Sequence, residues 1–175
     1  MAVPYQLLNL ECFKSMKIKK IVTQTELLKI RKACKRKRQT FVFTNGCFDL
    51  LHRGHIEYLS KAKELGDILV IALNSDKSVK RLKGVGRPII KLDDRAVIIS
   101  HLDMVDYVTS FGSLTPKTLI SKLIPDVLVK GGDYKKENIV GGNEVLENGG
   151  EVKVIKFVKG RSTSKLANII KNLSG

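Results

Sequence analysis

Residues 44–55 read Thr-Asn-Gly-Cys-Phe-Asp-Leu-Leu-His-Arg-Gly-His, and the fold prediction starts from this stretch. It follows a short apolar run at residues 40–44 and leads into a helical pattern that begins at about Gly54. Gly46 lets the backbone approach a ligand closely, and the start of the next helix offers free N–H groups. His52 and His55 are three residues apart, so both can project to one side of the turn. The stretch therefore predicts an anion-binding turn between a strand and a helix.

Outward from this turn, short β-branched runs alternate with longer helical patterns, which is typical of βαβ units. The predicted strands are Thr40–Thr44, Ile68–Asn74, Val105–Phe111, Asp126–Lys130 and Glu151–Phe157. The predicted helices are Gly54–Leu65, Asp93–Leu102, Pro116–Leu123, Glu137–Asn148 and Ser162–Leu173. Continuous apolar strands suit a sheet that is covered on both faces. The sequence therefore predicts an α/β fold, an open parallel sheet of about five strands with helices on both faces and its ligand crevice at the carboxyl ends of the strands.

The first 39 residues are predicted to be an N-terminal extension, and residues 40–175 are predicted to form the main domain. Residues 23–38 have the pattern of an amphipathic helix, and residues 29–38 are rich in Lys and Arg. Of the formal net charge of +15, residues 1–40 carry +9. We interpret the basic run as a solvated face, with subunit contact or binding to an anionic surface as alternatives.

Composition excludes several classes of protein. With 43% hydrophobic and 28% charged residues, the chain can form a core, and disorder is excluded. Its three cysteines are far apart and form no Cys-x-x-Cys pair, so neither a disulfide framework nor a metal site is predicted. No leader pattern is present and the longest apolar run is six residues, Ile68–Leu73, so we expect no membrane association and a cytoplasmic location. The concentration of basic charge at one end also argues against a nucleic-acid partner.

The stretch at residues 46–55 resembles the Gly-x-Phe-Asp-x-x-His-x-Gly-His signature of the cytidylyltransferase-like nucleotidylyltransferases. Further matching segments follow in the order seen in the heptose 1-phosphate adenylyltransferases, and the resemblance covers about 130 residues from Phe41 onward. Those segments are Asn74-Ser75-Asp76, Arg81-Leu82-Lys83-Gly84, Arg87-Pro88, Val129-Lys130-Gly131-Gly132-Asp133-Tyr134, Gly149-Gly150-Glu151-Val152 and Arg161-Ser162-Thr163. The Lys-Gly-Gly-Asp-Tyr segment is the one that indicates the heptose branch.

The resemblance implies a Rossmann-like nucleotidylyltransferase fold and an activity. ATP and D-glycero-β-D-manno-heptose 1-phosphate would give ADP-heptose and pyrophosphate, with Mg²⁺ arriving on the ATP. The resemblance assigns catalysis to His52, His55 and Lys83, and binding of substrate phosphate to Arg87 and Arg95. It assigns nucleotide binding to Asn45, Gly46, Cys47, Phe48, Gly54, His55, Asn74, Asp76, Lys130, Gly131, Gly132, Asp133, Ser162 and Thr163.

The residues support part of this assignment independently. Lys80, Arg81, Lys83 and Arg87 concentrate four positive charges within eight residues, with Gly84 and Gly86 between them, which predicts a flexible cationic flap that closes on a triphosphate. Asp49 either braces the turn through Asx-type hydrogen bonds or contacts the ligand, and the sequence leaves both open.

Relatives in this family often carry an N-terminal sugar kinase, for which residues 1–40 are too short. The resemblance therefore implies a separate kinase upstream, and it also implies a homodimer. Two other functions stay open, a cytidylyltransferase acting on glycerol 3-phosphate or a similar alcohol, and a basic nucleic-acid-binding module. A redox dinucleotide domain and a P-loop enzyme are disfavoured because neither glycine motif is present.

Overall fold

A computed structural model describes residues 18–132 and 135–156, together with residues 163, 166, 167 and 169. The strands are β1 (Phe41–Gly46), β2 (Ile68–Asn74), β3 (Tyr107–Phe111), β4 (Val127–Gly131) and β5 (Glu151–Ile155). The helices are α1 (Gln24–Arg36), α2 (Arg53–Lys63), α3 (Asp76–Lys83), α4 (Leu92–Ser100), α5 (Lys117–Leu123), a 3₁₀ turn (Lys136–Asn138) and α6 (Gly142–Glu147). Residues 163, 166, 167 and 169 are also helical, as predicted.

The strands form one parallel sheet in the order β3-β2-β1-β4-β5. From β1 the chain moves outward to β2 and β3, and it then returns to the other side of β1 to add β4 and β5. This reversal places a topological switch point between β1 and β4, where the connections after the two strands leave a crevice at their carboxyl ends. The predicted α/β class and the five parallel strands are confirmed.

Both faces of the sheet are covered, because side chains alternate along each strand. On one face α1, α5 and α6 pack on one set of buried strand residues, Phe41, Phe43, Val70, Ala72, Leu128 and Val152. On the other face α2 and α4 pack on the alternate set, Val42, Leu69, Ile71, Leu73, Val108, Val127 and Val129. Because helices pack on both faces, the sheet is rigid, and the loops at its carboxyl edge begin from fixed positions.

The described part of the predicted extension packs on this same sheet. Residues 20–22 lie alongside β3, where the Val22 N–H donates to the Val108 carbonyl at 2.9 Å and the Val108 N–H donates to the Lys20 carbonyl at 2.8 Å. Helix α1 then begins with a capping box between Thr23 and Glu26 and buries Leu27 in the core. The backbone of β3 is therefore covered at its outer edge by the segment that leads into α1.

The structure corrects two sequence predictions. Residues 76–83, where no helix was predicted and where the predicted flap begins, form helix α3. The Ser75 hydroxyl accepts the Ser78 N–H, and Asp76 lies in the positively polarised first turn. The predicted helix Glu137–Asn148 is divided into the 3₁₀ turn and α6, and Gly141 between them has a φ of 82°. Among the described residues, no helix is long and apolar enough to cross a membrane.

Candidate functional site

A cleft of about 490 Å³ lies at the carboxyl edge of the sheet, over the switch point between β1 and β4. This volume is in the usual range for small-molecule sites. Eleven of the predicted site residues line the cleft, namely Asn45, Gly46, Cys47, Phe48, His55, Asn74, Lys83, Arg87, Lys130, Gly131 and Thr163. Residues up to 118 positions apart in the sequence are therefore brought to one crevice.

The turn after β1 is closely packed around Gly46. A Cβ at this position would lie 2.8 Å from Cε2 of the Phe48 ring, which is closer than Cβ contacts normally come. Phe48 itself has a φ of 46°, and its ring is tilted against His55 with centroids 5.2 Å apart. Gly46 thus lets Phe48 fold back over the turn and meet the histidine.

His55 lies in the first turn of α2, and His52 is the residue before that helix. The two imidazoles stack with centroids 3.9 Å apart, and the His52 backbone N–H is directed at Nδ1 of His55 at 3.4 Å. Burial, with a smaller contribution from the charge of His52, lowers the pKa of His55 from 6.5 to about 4. His55 is therefore neutral at pH 7. Because its Nδ1 faces a donor, its proton lies on Nε2, which can donate a hydrogen bond.

Lys130 supplies a positive charge from the end of β4. Its Nζ donates to Oδ1 of Asn45 at 3.2 Å, which links the ends of the two strands that flank the switch point. Burial lowers the pKa of Lys130 from its ordinary value of 10.5. A partly desolvated ammonium interacts more strongly with an anion than a fully hydrated one, so this position favours a phosphate.

In the structure, Asp49 bonds to the segment that follows α3. Its side chain is only 3% exposed, and its Oδ1 accepts hydrogen bonds from the Ile89 and Ile90 N–H groups at 2.7 and 2.9 Å. Its Oδ2 pairs with Nη1 of Arg87 at 2.8 Å. Asp49 thereby anchors the segment after α3 to the turn after β1 and holds Arg87 at the cleft.

The expectation that Arg95 binds phosphate is not supported by its contacts. Arg95 is 1% exposed and does not line the cleft. Its guanidinium donates to the carbonyls of Ile90, Cys47 and Asn74 and to the carboxylate of Asp76, at distances between 2.6 and 3.0 Å. Four of its N–H groups are thus used inside the protein. Arg95 holds the turn after β1 and the end of β2 in place.

Four other predicted site residues lie beside the cleft and do not line it. They are His52, Gly54, Asp76 and Gly132. Gly54 is buried in α2, Asp76 pairs with Arg95 at 2.7 Å, and the Gly132 N–H donates to the Ile155 carbonyl at 3.0 Å. His52 contacts His55, which does line the cleft. Asp133 and Ser162 lie outside the described residues.

The sequence prediction missed part of the lining. Tyr58 lies beneath the cleft, where its hydroxyl pairs with the Thr44 hydroxyl at 2.6 Å and its pKa is raised by burial. The remaining missed residues come from α3 and from the connections after β3 and β4, and they are Leu82, Leu114, Thr115, Pro116, Asn138, Ile139 and Val140. Leu82 lies in the matching segment Arg81-Leu82-Lys83-Gly84, but no role was assigned to it there. For the others the only signal is that most of them follow the carboxyl end of a strand.

Comparison with known proteins identifies the family. The sequence profile described as cytidylyltransferase-like matches residues 43–169. The chain belongs to the cytidylyltransferase-like family. The match includes every residue of the turn after β1 that lines the cleft, and it also includes Thr163, whose hydroxyl donates to the Leu50 carbonyl at 3.3 Å.

Relatives within this family include the bifunctional protein HldE of Vibrio vulnificus strain YJ016, which is 49% identical over 155 residues, or 89% of this chain and 33% of that protein. HldE of Vibrio parahaemolyticus is 48% identical over the same coverage. The chain thus spans about a third of the length of these relatives.

Two solved structures share the fold. A lipopolysaccharide core biosynthesis protein from Thermoplasma volcanium superposes with a TM-score of 0.58 at 27% identity and covers 70% of this chain and 99% of its own. Pantoate-β-alanine ligase from Francisella tularensis has a TM-score of 0.54 at 16% identity, over 87% and 77% of the two chains. The second likeness concerns the fold alone.

Proposed function

We propose that this member of the cytidylyltransferase-like family transfers the adenylyl group of ATP to D-glycero-β-D-manno-heptose 1-phosphate. The products are ADP-heptose and pyrophosphate. The observation that carries the proposal is the meeting of His55, Lys83, Arg87 and Lys130 in one cleft at the switch point. One hydrogen-bond donor and three cations around a single crevice can bind the phosphate groups of two substrates at once.

The choice of acceptor is supported by the sequence around the cleft. The Lys130-Gly131-Gly132 segment resembles that of the heptose 1-phosphate adenylyltransferases, and Lys130 and Gly131 lie at the cleft. The 27% identical relative from Thermoplasma volcanium is a lipopolysaccharide core biosynthesis protein. We therefore assign the product to the lipopolysaccharide core or another surface glycan.

The proposed chemistry is an in-line substitution at the α-phosphorus of ATP. An oxygen of the acceptor phosphate forms a bond to this phosphorus while the bond to the β-phosphate oxygen breaks, and pyrophosphate leaves with the electron pair. Negative charge spreads over the oxygens of the transferring group, where the Nε2–H of His55 donates a hydrogen bond. Lys83, Arg87 and Lys130 neutralise the phosphates, and the backbone of the turn at Gly46 holds the nucleotide. No covalent intermediate with the protein is required.

Magnesium is treated as part of the MgATP substrate. Asp49 is the only carboxylate among the described residues that line the cleft, and its oxygens are engaged by Arg87 and by two backbone N–H groups. The described residues contain no group of three or more His, Cys, Asp or Glu side chains that could hold a metal ion. The phosphates themselves are the ligands expected to carry Mg²⁺ into the site.

The proposal extends to partners. A sugar kinase activity would supply the 1-phosphate, the reaction would take place in the cytoplasm, and the active protein would be a homodimer. These expectations follow from the family resemblance, and size-exclusion chromatography with light scattering tests the last of them directly.

The decisive experiment is an assay of pyrophosphate release by the purified chain with Mg²⁺. ATP and CTP are each tested against heptose 1-phosphate and glycerol 3-phosphate. Release with ATP and the heptose alone is expected. Release only with CTP and glycerol 3-phosphate would replace this proposal by a cytidylyltransferase.

Absence of release with every pair would favour a binding role for the basic surface instead. In that case nucleic-acid binding is measured across a salt series, with a variant in which His52 and His55 are both alanine. Binding that depends strongly on salt and survives both substitutions would indicate a nucleic-acid-binding module.

A further inference from the structure

The register between β1 and β4 ends before either strand does. The last paired residues are Thr44 and Val129, whereas β1 continues to Gly46 and β4 continues to Gly131. Beyond that point each strand stays paired with its outer neighbour, β2 or β5. The two central strands therefore part here, and the last two residues of each line the cleft.

Tyr58 bridges the two strands at their last paired position. Its hydroxyl lies 2.6 Å from the Thr44 hydroxyl on β1 and donates to the Val129 carbonyl on β4 at 3.3 Å. A hydroxyl carries a single proton, so the Thr44 hydroxyl is the donor in the shorter bond. Both side chains are buried, and the β1–β4 pairing therefore ends in a buried side-chain bridge.

The same side chain is close to two groups of the site. Tyr58 lies three residues after His55, so both rings are on one face of α2, and both line the cleft. On the strands, the residues that follow the bridged pair are Asn45 and Lys130, which share the side-chain hydrogen bond of 3.2 Å. One hydroxyl is thus within a helical turn of His55 and is bonded to the residue before Lys130.

We propose that Tyr58 is a positioning residue for adenylyl transfer, whose hydroxyl sets the distance between the His55 imidazole and the Lys130 ammonium. The proposal rests on the adenylyl-transfer function, in which both groups act on the phosphates at the same time. Tyr58 takes no part in the chemistry itself, because its hydroxyl is engaged by Thr44 and Val129 beneath the cleft. Without this bridge, α2 and the end of β4 lose a hydrogen bond that joins them, and a displacement of about 1 Å in such a site can cost about 10²-fold in rate.

Steady-state kinetics of Tyr58→Phe test this role, because the substitution removes the hydroxyl and keeps the ring that fills the core. We expect kcat with ATP and heptose 1-phosphate to fall about tenfold while both KM values stay within about twofold, since the substrates still bind but the groups around them are misplaced. Tyr107→Phe is the matched control, because Tyr107 begins β3 and does not line the cleft. An unchanged kcat for Tyr58→Phe, or an increase in the KM for ATP alone, would overturn the proposal.

Thr44 gives a second test of the same bridge. Thr44→Val removes the hydroxyl and should lower kcat to a similar extent, whereas Thr44→Ser keeps a hydroxyl and should retain most of the activity. When Thr44→Val and Tyr58→Phe are combined, kcat should fall no further than in Tyr58→Phe alone, because both changes break one bond. If the two effects multiply instead, the residues act separately and the bridge is not the cause.

A measurement without turnover separates this proposal from the proposed function. The Cε1–H signals of isotope-labelled histidines in NMR spectra report the surroundings of each imidazole. Tyr58→Phe should shift the His55 signal and leave the His101 signal in place, whereas Tyr107→Phe should leave the His55 signal unchanged. If the wild-type chain releases no pyrophosphate with any substrate pair, a shifted His55 signal would keep Tyr58 as the residue that positions His55 and reject adenylyl transfer. An unshifted His55 signal would reject the positioning role, whether or not the chain is active.

Discussion

The guanidinium of Arg95 donates a hydrogen bond to the carbonyl of Cys47 at 2.6 Å, across 48 positions of sequence. The same side chain reaches the Asn74 carbonyl at 2.9 Å, so one buried residue joins the ends of β1 and β2. The carbonyl of Cys47 lies in the turn that lines the cleft. The position of this turn is therefore set from beneath by α4 as well as by the strand that precedes it.

Replacement of Arg95 by lysine tests this positioning role. Lysine keeps the charge but lacks the guanidinium group, whose several N–H donors point in fixed directions. At least two of the three carbonyls therefore lose their partner, and we expect the free energy of unfolding to fall by about 2–3 kcal/mol. The kcat should fall as well, because the turn loses its support. Urea denaturation and initial rates measure the two effects.

The control for Arg95→Lys is Arg36→Lys, an exposed arginine in the last turn of α1, which should change stability by less than about 0.5 kcal/mol. Asp76→Asn should cost less than Arg95→Lys, since it leaves the carbonyl contacts in place. If Asp76→Asn were equally damaging, the ion pair rather than the carbonyl contacts would be the main contribution.

Removal of the His55 imidazole is expected to slow the chemical step. His55→Ala should lower kcat by about 10²-fold or more with little loss of folding, because the lost hydrogen bond is strongest in the transition state. His101→Ala serves as the control, since His101 follows α4 and does not line the cleft. A kcat for His55→Ala within a few-fold of wild type would remove His55 from the mechanism.

The pKa of His55 also makes a prediction about stability. The folded protein holds this group at a pKa of about 4 against 6.5 for the free side chain, so the unfolded chain binds the extra proton as the pH falls below 6.5. The contribution of His55 to the free energy of unfolding is therefore fully present above pH 6.5 and is lost as the pH falls toward 4.

Between pH 7.5 and 5.0 we expect the titration of His55 to lower the free energy of unfolding by about 1 kcal/mol, because the ring is partly exposed and solvent screens its charge. Urea denaturation of the wild type and of His55→Gln at both pH values measures it. The wild type should lose more stability than the variant over this interval. Equal losses would mean that His55 titrates normally in the folded state.

Gly46→Ala should weaken nucleotide binding. The new Cβ would lie 2.8 Å from the Phe48 ring, so the ring must move, and Phe48 contacts His55. Strain of about 1.4 kcal/mol at the site corresponds to a tenfold loss of ATP affinity, which calorimetry detects. Gly112→Ala is the comparison, because a Cβ there meets only Ser75 Oγ at 3.9 Å. Equal ATP affinity of both variants would contradict the steric argument.

Arg31 provides a test of how α1 is joined to the rest of the fold. Its side chain is 5% exposed and makes two hydrogen bonds of 2.7 Å to the carboxylate of Asp126, and it also donates to the carbonyls of Leu123 and Ile124. Arg31→Met should lower the free energy of unfolding by about 2 kcal/mol, because the carbonyls of Leu123 and Ile124 and the half-buried carboxylate of Asp126 lose their donor.

The matched control is Lys32→Met on the exposed side of the same helix, which should cost less than about 0.5 kcal/mol. Denaturation of both variants is monitored by circular dichroism. Equal stability of the two would mean that α1 contributes little to the fold, as expected for an independent extension.

The sequence predicted the sheet well because its strands are continuous apolar runs that local composition reveals. It failed at α3, whose eight residues contain only two apolar side chains, Val79 and Leu82, and whose charges are typical of a solvated loop. It also assigned Arg95 to phosphate binding, since an arginine that binds phosphate and one that binds carbonyls look the same in a sequence. Burial distinguishes the two, and burial depends on how α4 packs.

The sequence by itself determined the fold class, the turn at residues 44–55 and most of the cationic groups around the cleft, because each depends on neighbouring residues along the chain. The tertiary structure alone decided that Asp49 pairs with Arg87, that Arg95 donates to the Cys47 carbonyl, and that Leu82 and Leu114 line the same cleft. These relationships join segments 32 to 48 positions apart that meet only when parallel strands align their carboxyl ends. Their physical cause is the packing of helices on both faces of the sheet, which no local pattern contains.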